Sequence, residues 1–138
     1  MKPTLHCTIG LPRSGKTTWA KSTGFPVVCP DAIRLALHGQ RYIQLAEPFV
    51  WAIAQAMVRA LFLAGHEDVV LDACNNTEKR RGMWLSSDWK TIWKIFDTTE
   101  DECIRRARNV GDEEIVPVIQ RMSLESDLPV AGATIHGQ

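Results

Sequence analysis

The stretch that most constrains the fold is GLPRSGKTT, which follows the apolar run TLHCTI near the start of the chain. Gly10, Gly15, Lys16 and Thr17 fit the pattern G-x-x-x-x-G-K-[ST], after a strand-like run and at the start of a helix-like one. The glycines let the backbone curl so that its N–H groups point inward, and the helix start adds partial positive charge. The stretch therefore predicts a strand, an anion-holding loop and a helix in direct succession.

The residue types in this loop suit the phosphate groups of ATP. Lys16 is expected to reach the outer phosphates, and Thr17 to offer its hydroxyl to Mg²⁺. GTP-dependent signalling proteins also need D-x-x-G and N-K-x-D segments, which the chain lacks, and 138 residues are too few for a large motor ATPase. A small phosphotransferase is the class that remains. The predicted nucleotide-binding residues of the loop are Gly10, Leu11, Pro12, Arg13, Ser14, Gly15, Lys16, Thr17 and Thr18.

Composition is that of an ordinary globular chain. With 138 residues, 45% apolar and 23% charged, it predicts one domain over residues 1–138, of which residues 128–138 form a loose tail. Sixteen basic residues balance sixteen acidic ones, so the molecule as a whole has no net attraction to nucleic acid. A role in binding nucleic acid would therefore depend on a local basic patch.

Cysteine usage and apolar patterning predict a cytoplasmic protein without a membrane span. The longest apolar stretch, FVWAIAQAMVRALFLAG, is interrupted by Gln55 and Arg59. The four cysteines are widely spaced and form no C-x-x-C motif, so we expect free thiols at Cys7, Cys29, Cys74 and Cys103.

Four apolar, strand-like runs alternate with helix-like segments. The strands are predicted at residues 4–9, PVVC, DVVLDA and TIWKIF. Helices are predicted at 16–22, at 30–39 with Asp31 as a possible N-cap, at 46–64, after Asn76 or Thr77, from a Thr99 capping box onward, and at 113–126. This alternation predicts a parallel sheet with helices on both faces. Helix 46–64 is apolar around most of its circumference, so we expect it to be covered on more than one side.

Ligands of such sheets bind beyond the carboxyl ends of the strands, where several polar residues of this chain stand. Asp31 and Arg34 follow the second strand on one helical face and would serve as a proton acceptor and an anion holder, or as a cap and a surface arginine. Asp72 ends the third strand, where a carboxylate would hold Mg²⁺ opposite Thr17 or cap a loop.

Basic and aromatic residues around the fourth strand allow two interpretations each. The arginines of the following helix would form a lid over the transferring phosphoryl group, or an exposed face balanced by acidic neighbours; they are Arg105, Arg106 and Arg108. The tryptophans Trp84, Trp89 and Trp93 favour core packing, although Trp84 or Tyr42 would also suit stacking on a nucleobase.

Taken together, these stretches resemble the 5′-hydroxyl polynucleotide kinase domain of phage type, within the adenylate-kinase-like P-loop phosphotransferases. The matching segments run from residue 8 to 122 and are TIGLPRSGKTTWA, PDAIR, VVLDACNNTEKRR, IFDTTEDECIRRAR and VPVIQRM. The resemblance implies a four-stranded parallel sheet in the order 2-3-1-4. It also implies that Lys16 and the loop amides bind ATP and that Thr17 and Asp72 hold Mg²⁺.

The same resemblance assigns roles to the remaining polar residues. It implies that Asp31 is the general base and that Arg34 engages the acceptor and its neighbouring phosphate. It further implies that a lid arginine, Arg108 or Arg105, stabilises the γ-phosphoryl group in flight. We therefore expect an ATP- and Mg²⁺-dependent kinase whose favoured acceptor is the 5′-hydroxyl end of DNA or RNA. Two alternatives stay open: a kinase of a nucleoside, sugar acid or antibiotic, and a noncatalytic ATP-binding module in which Asp31 points away from the loop.

Overall fold

The computed structural model describes residues 1–127, which form a four-stranded parallel sheet with the order β2-β3-β1-β4. The strands are β1 (Thr4–Ile9), β2 (Val27–Val28), β3 (Asp68–Leu71) and β4 (Lys90–Ile95). Both the parallel sheet and its strand order confirm the expectation from the sequence. The predicted tail at 128–138 lies outside the described residues.

Six α-helices connect or follow these strands in the described part of the chain. They are α1 (Lys16–Ser22), α2 (Pro30–His38), α3 (Glu47–Leu63), α4 (Glu78–Gly82), α5 (Glu100–Asn109) and α6 (Val116–Glu125). Short 3-10 turns at Gln44–Ala46 and Glu113–Ile115 precede α3 and α6. Thr77 caps α4 and Thr99 caps α5, because each hydroxyl accepts a hydrogen bond from the backbone N–H three residues later.

The predicted N-cap role of Asp31 is wrong. Cys29 is the N-cap of α2, because its backbone is still extended (φ −127°, ψ 110°) and Pro30 occupies the first helical position. A proline is well suited there, since its ring fixes a helical φ and its missing N–H is not needed. Asp31 consequently lies in the first turn, with its carboxylate free of a capping role.

Two apolar clusters hold the sheet between its helices. The larger joins Leu5 and Cys7 of β1 and Val69 and Leu71 of β3 to the inner side of α3. The smaller joins Leu11 to residues of α5 and α6, namely Cys103, Ala107, Val116 and Ile119. Strand residues of the opposite parity, such as Thr8 and Val70, are also fully buried, so both faces of the sheet are covered.

Helix α3 packs against both the sheet and α2, as expected for a helix covered on more than one side, but its outward side is exposed. Val50, Ala54 and Val58 recur every four residues and form the buried stripe that packs against the sheet. Phe49 and Met57 are exposed on the outward side. The helix lies flat on one face of the sheet, and no element within residues 1–127 covers its other side.

The structure also bears on the predictions for membrane spans, for the cysteines and for the tryptophans. By length and composition alone, one helical stretch within residues 1–127, Gln44–Leu63, is apolar enough to cross a membrane, which is a weak indication because core helices meet the same criterion. All four cysteines are free. Trp84 is fully buried, so core packing is confirmed and stacking on a nucleobase is not available to it.

Candidate active site

The phosphate loop between β1 and α1 has a backbone that only glycine allows at two positions. A Cβ on Gly10 would stand 2.7 Å from the Ser14 hydroxyl oxygen and 3.0 Å from the Phe96 backbone oxygen. Gly15 has φ +108°, in the left-handed region, and as the N-cap of α1 it contributes no side-chain hydrogen bond. Because glycine has no side chain that could cap them, the first-turn N–H groups of α1 remain available to an anion.

Neighbouring strand ends hold this loop in place. The backbone N–H of Gly10 donates to the Cys74 carbonyl at 3.0 Å, beyond β3. On the other side, the Thr98 hydroxyl donates to the Ser14 carbonyl at 2.9 Å, beyond β4. The loop is thus fastened to both strands that flank β1.

Lys16 is folded back onto the loop that precedes it. Its Nζ atom donates to the Leu11 carbonyl at 2.5 Å and to the Ser14 hydroxyl at 3.3 Å, and the residue is only 7% exposed. The positive charge therefore lies within the loop, where it can exchange these internal acceptors for phosphate oxygens.

Thr17 and Asp72 meet at the carboxyl ends of β1 and β3. The Thr17 hydroxyl donates to Asp72 Oδ2 at 2.7 Å, and Asp72 is 5% exposed. A hydroxyl and a carboxylate beside a phosphate loop are the hard oxygen donors that Mg²⁺ accepts together with phosphate oxygens and water. No cluster of three or more metal-ligating side chains occurs within residues 1–127, so protein atoms would fill only part of the coordination sphere. The pair fits Mg²⁺ bound jointly with a nucleotide.

Asp31 and Arg34 are joined beyond the end of β2. Arg34 NH1 donates to Asp31 Oδ1 at 2.6 Å, and the Asp31 side chain is 81% exposed. Burial is the main cause that raises the pKa of the Cys74 thiol; the Lys16 charge opposes this rise and the Asp31 charge adds to it. Because the strands are parallel, Lys16 beyond the end of β1 and Asp31 beyond the end of β2 lie at the same edge of the sheet.

The arginines of α5 all have acidic partners. Glu102 accepts hydrogen bonds from Arg105 and Arg106, and together these lower the pKa of Glu102 to about 2. Arg106 also donates to the Arg13 carbonyl of the phosphate loop at 3.1 Å, and Arg108 pairs with Glu113 at 3.1 Å. Helix α5 therefore contacts the phosphate loop through Arg106, whereas the side chains of Arg105 and Arg108 are largely exposed.

Asp112, which the sequence did not single out, joins three loops. Its carboxylate accepts from Arg13 of the phosphate loop at 3.0 Å and from Arg41 of the α2–α3 connection at 2.6 Å. Hydrogen bonds from these two guanidinium groups, the Arg41 bond first, hold the pKa of Asp112 well below its usual range. Arg13, placed by the sequence in the nucleotide loop, is held here by Asp112 with a left-handed backbone (φ 69°).

A four-stranded parallel sheet of order 2-3-1-4 with a glycine-bounded phosphate loop after its central strand defines a P-loop kinase-like domain. The sequence model of the AAA domain family, AAA_33, matches residues 5–120, and the chain belongs to this family. Such a fold implies a nucleotide, ATP, and typically Mg²⁺.

Two solved structures have similar folds. One is a chain of the Pnkp1/Rnl/Hen1 complex, with a TM-score of 0.71 and 21% identity over 99% of this chain and 44% of that one. The other is a gluconokinase from Sinorhizobium meliloti 1021, with a TM-score of 0.63 and 19% identity over 95% of this chain and 79% of that one. This chain spans less than half the length of the first. At these identities the likeness shows the fold alone.

Asp72→Asn should raise the Mg²⁺ concentration needed for nucleotide binding and transfer by about 10- to 100-fold. Asparagine can still accept the Thr17 hydrogen bond, but it lacks the negative charge that attracts the cation. Mg²⁺ titrations of ATP binding by calorimetry measure the effect. Asp68→Asn, at the opposite end of the same strand, is the control. An unchanged Mg²⁺ requirement in Asp72→Asn would show that this carboxylate does not hold the ion.

Proposed function

We propose that this domain transfers the γ-phosphoryl group of ATP to a hydroxyl group, most favourably the 5′-hydroxyl end of DNA or RNA. The observation that carries the proposal is the position of three groups after three neighbouring strands, at one edge of the sheet. Lys16 follows β1, Asp31 follows β2 and Asp72 follows β3, and the Asp31 carboxylate is largely exposed. A cationic loop beside an accessible base is the arrangement that phosphoryl transfer to a hydroxyl needs.

In this proposal each group has one role in the transfer. Lys16 and the loop amides orient the phosphates, and Thr17 and Asp72 would hold Mg²⁺, which neutralises phosphate charge when bound. Asp31 accepts the proton of the attacking hydroxyl. A bond then forms between that oxygen and the γ-phosphorus while the bond to ADP breaks, and the electron pair of the broken bond leaves with ADP. Arg108 or Arg105 would stabilise the charge on the moving group, once released from its acidic partner.

Two features of the chain favour a polynucleotide acceptor. The Asp31-x-x-Arg34 spacing is the most specific part of the resemblance to 5′-hydroxyl polynucleotide kinases. In addition, Arg80 of α4 lies over the Trp51 ring beside Arg34 of α2 and has no ion-paired carboxylate within residues 1–127. It supplies local positive charge on a chain whose net charge is zero.

A small-molecule kinase is the second candidate. The likeness to a gluconokinase, which covers 79% of that chain, and the zero net charge favour it. A noncatalytic ATP-binding module is the third candidate, and an Asp31 directed away from the loop would favour it.

The test is transfer from γ-labelled ATP to a panel of acceptors. The panel contains 5′-hydroxyl DNA and RNA oligonucleotides, the same oligonucleotides already phosphorylated at the 5′ end, nucleosides, gluconate and an aminoglycoside. We expect label on the 5′-hydroxyl oligonucleotides and none on their phosphorylated counterparts. Label on small molecules alone would overturn the polynucleotide acceptor, and no label on any hydroxyl would overturn the transferase.

A further inference from the structure

A second cationic site lies beside Asp31, in a group of residues that we call the acceptor-side cluster. Its members are Arg34, Glu47, Trp51 and Arg80, contributed by α2, α3 and α4. The Arg80 guanidinium carbon is 3.9 Å from the centroid of the Trp51 ring, and that of Arg34 is 5.6 Å from the same ring. Two guanidinium groups therefore share one indole.

Arg34 has little capacity left to bind a further anion. Its Nε and NH2 atoms donate to the two oxygens of Glu47 at 2.9 and 2.6 Å, and NH1 donates to Asp31. All three guanidinium nitrogens thus hold a carboxylate, and the side chain is only 14% exposed. Two negative charges already neutralise Arg34, and they fix it as the group that orients Asp31.

Arg80 is in the opposite situation. No carboxylate within residues 1–127 forms an ion pair with it, and its NH1 atom donates to Met83 Sδ at 3.0 Å, which is a weak acceptor. Burial lowers the pKa of Arg80; the Glu47 charge opposes this and the Arg34 charge adds to it. A half-buried cation without an ion-paired carboxylate gains more from an anion than a solvated surface arginine does.

We propose that Arg80, stacked on Trp51, binds an oxyanion of the acceptor next to the hydroxyl that is phosphorylated, and that Arg34 is a positioning residue for Asp31. This inference rests on the proposed function and names the acceptor's required chemistry. The guanidinium carbon lies over the indole ring, and a guanidinium held over an aromatic ring can still pair its N–H groups with a phosphate or carboxylate. An acceptor without such an oxyanion lacks a partner for Arg80.

The experiment compares acceptors with and without this oxyanion. Steady-state transfer is measured with thymidine 3′-phosphate, thymidine and gluconate, for the wild type, Arg80→Gln, Arg80→Lys and the control Lys79→Gln. Lys79 lies on the same short helix but is exposed. We expect Arg80→Gln to raise KM for the anionic acceptor at least about tenfold, with kcat, KM for ATP and KM for thymidine unchanged. Arg80→Lys should recover part of the loss, because it keeps the charge but not the bidentate geometry.

Comparing the acceptors distinguishes a phosphate from a carboxylate as the group that Arg80 binds. An effect confined to thymidine 3′-phosphate identifies a phosphate, and an effect confined to gluconate identifies a carboxylate. Equal KM values for wild type and Arg80→Gln with every acceptor, or equal rises for thymidine and its 3′-phosphate, would overturn the inference.

Direct binding keeps this result separate from the proposed function. Calorimetric titration with thymidine 3′-phosphate should detect binding to wild-type protein and to Lys79→Gln that is weakened at least about tenfold in Arg80→Gln. Such binding without any transfer would overturn the kinase and leave the anion site standing. Normal transfer, together with an affinity for thymidine 3′-phosphate that does not depend on Arg80, would overturn the anion site and leave the kinase standing. Matching thermal midpoints of the variants show that the fold is retained.

Discussion

Lys16→Ala should abolish phosphoryl transfer, lowering the rate by about 10³-fold or more. The ammonium group is the one charge held inside the phosphate loop, where it contacts Leu11 and Ser14. Without it, developing charge on the transferring group loses its nearest compensation from the protein. The rate is measured with γ-labelled ATP and the best acceptor of the panel, and ATP affinity is measured separately by calorimetry.

Lys21→Ala is the matched control for this variant. Lys21 lies on the same helix, α1, but in its last turn and exposed to solvent. It should transfer at the wild-type rate. Because Lys16 is buried, thermal unfolding of both variants must be compared as well. Substantial transfer by a folded Lys16→Ala protein would contradict the role of the phosphate loop in the reaction.

Asp31→Asn should lower turnover by at least about 10²-fold while ATP affinity stays close to that of the wild type. The asparagine oxygen can still accept the Arg34 hydrogen bond, so the local geometry is kept. The amide, however, cannot take a proton from the acceptor hydroxyl. Turnover is measured at saturating ATP and acceptor, so that a loss in kcat is distinguished from weaker binding.

Asp88→Asn provides a control with similar surroundings. Asp88 is also an exposed aspartate paired with an arginine, Arg59, but it lies before β4 and away from the phosphate loop. Its turnover should equal that of the wild type. If Asp31→Asn also turned over at a near-normal rate, Asp31 would not be the base, and the alternative of a noncatalytic module would have to be judged by the Lys16 variant.

Local signals in the sequence were sufficient for most of the fold. Gly10 and Gly15 mark the loop because no other residue fits the approach to Phe96 or the left-handed φ. Thr77 and Thr99 mark helix starts because a short hydroxyl side chain reaches the N–H three residues later. The strand order followed from the family resemblance.

Contacts between distant segments were not predictable in this way. The ion pair of Arg34 joins it to Glu47, 13 positions away, and Arg80 meets Trp51 across 29 positions. The spacing of Arg80 in the sequence gave no sign of the indole beneath it. Similarly, the apolar pattern of α3 could not reveal that one side would face solvent, since apolar residues occur all round the helix.

The contacts of Asp112 have a consequence for motion of the loops around the phosphate loop. Its two oxygens accept three hydrogen bonds, two from Arg41 and one from Arg13, so a single carboxylate fastens the segment after α5 to loops on both sides. Moving that segment removes the shared acceptor of both guanidinium groups, so both loops lose their contact with it. Any motion of this segment during ligand entry or release should therefore require loss of the Asp112 ion pairs.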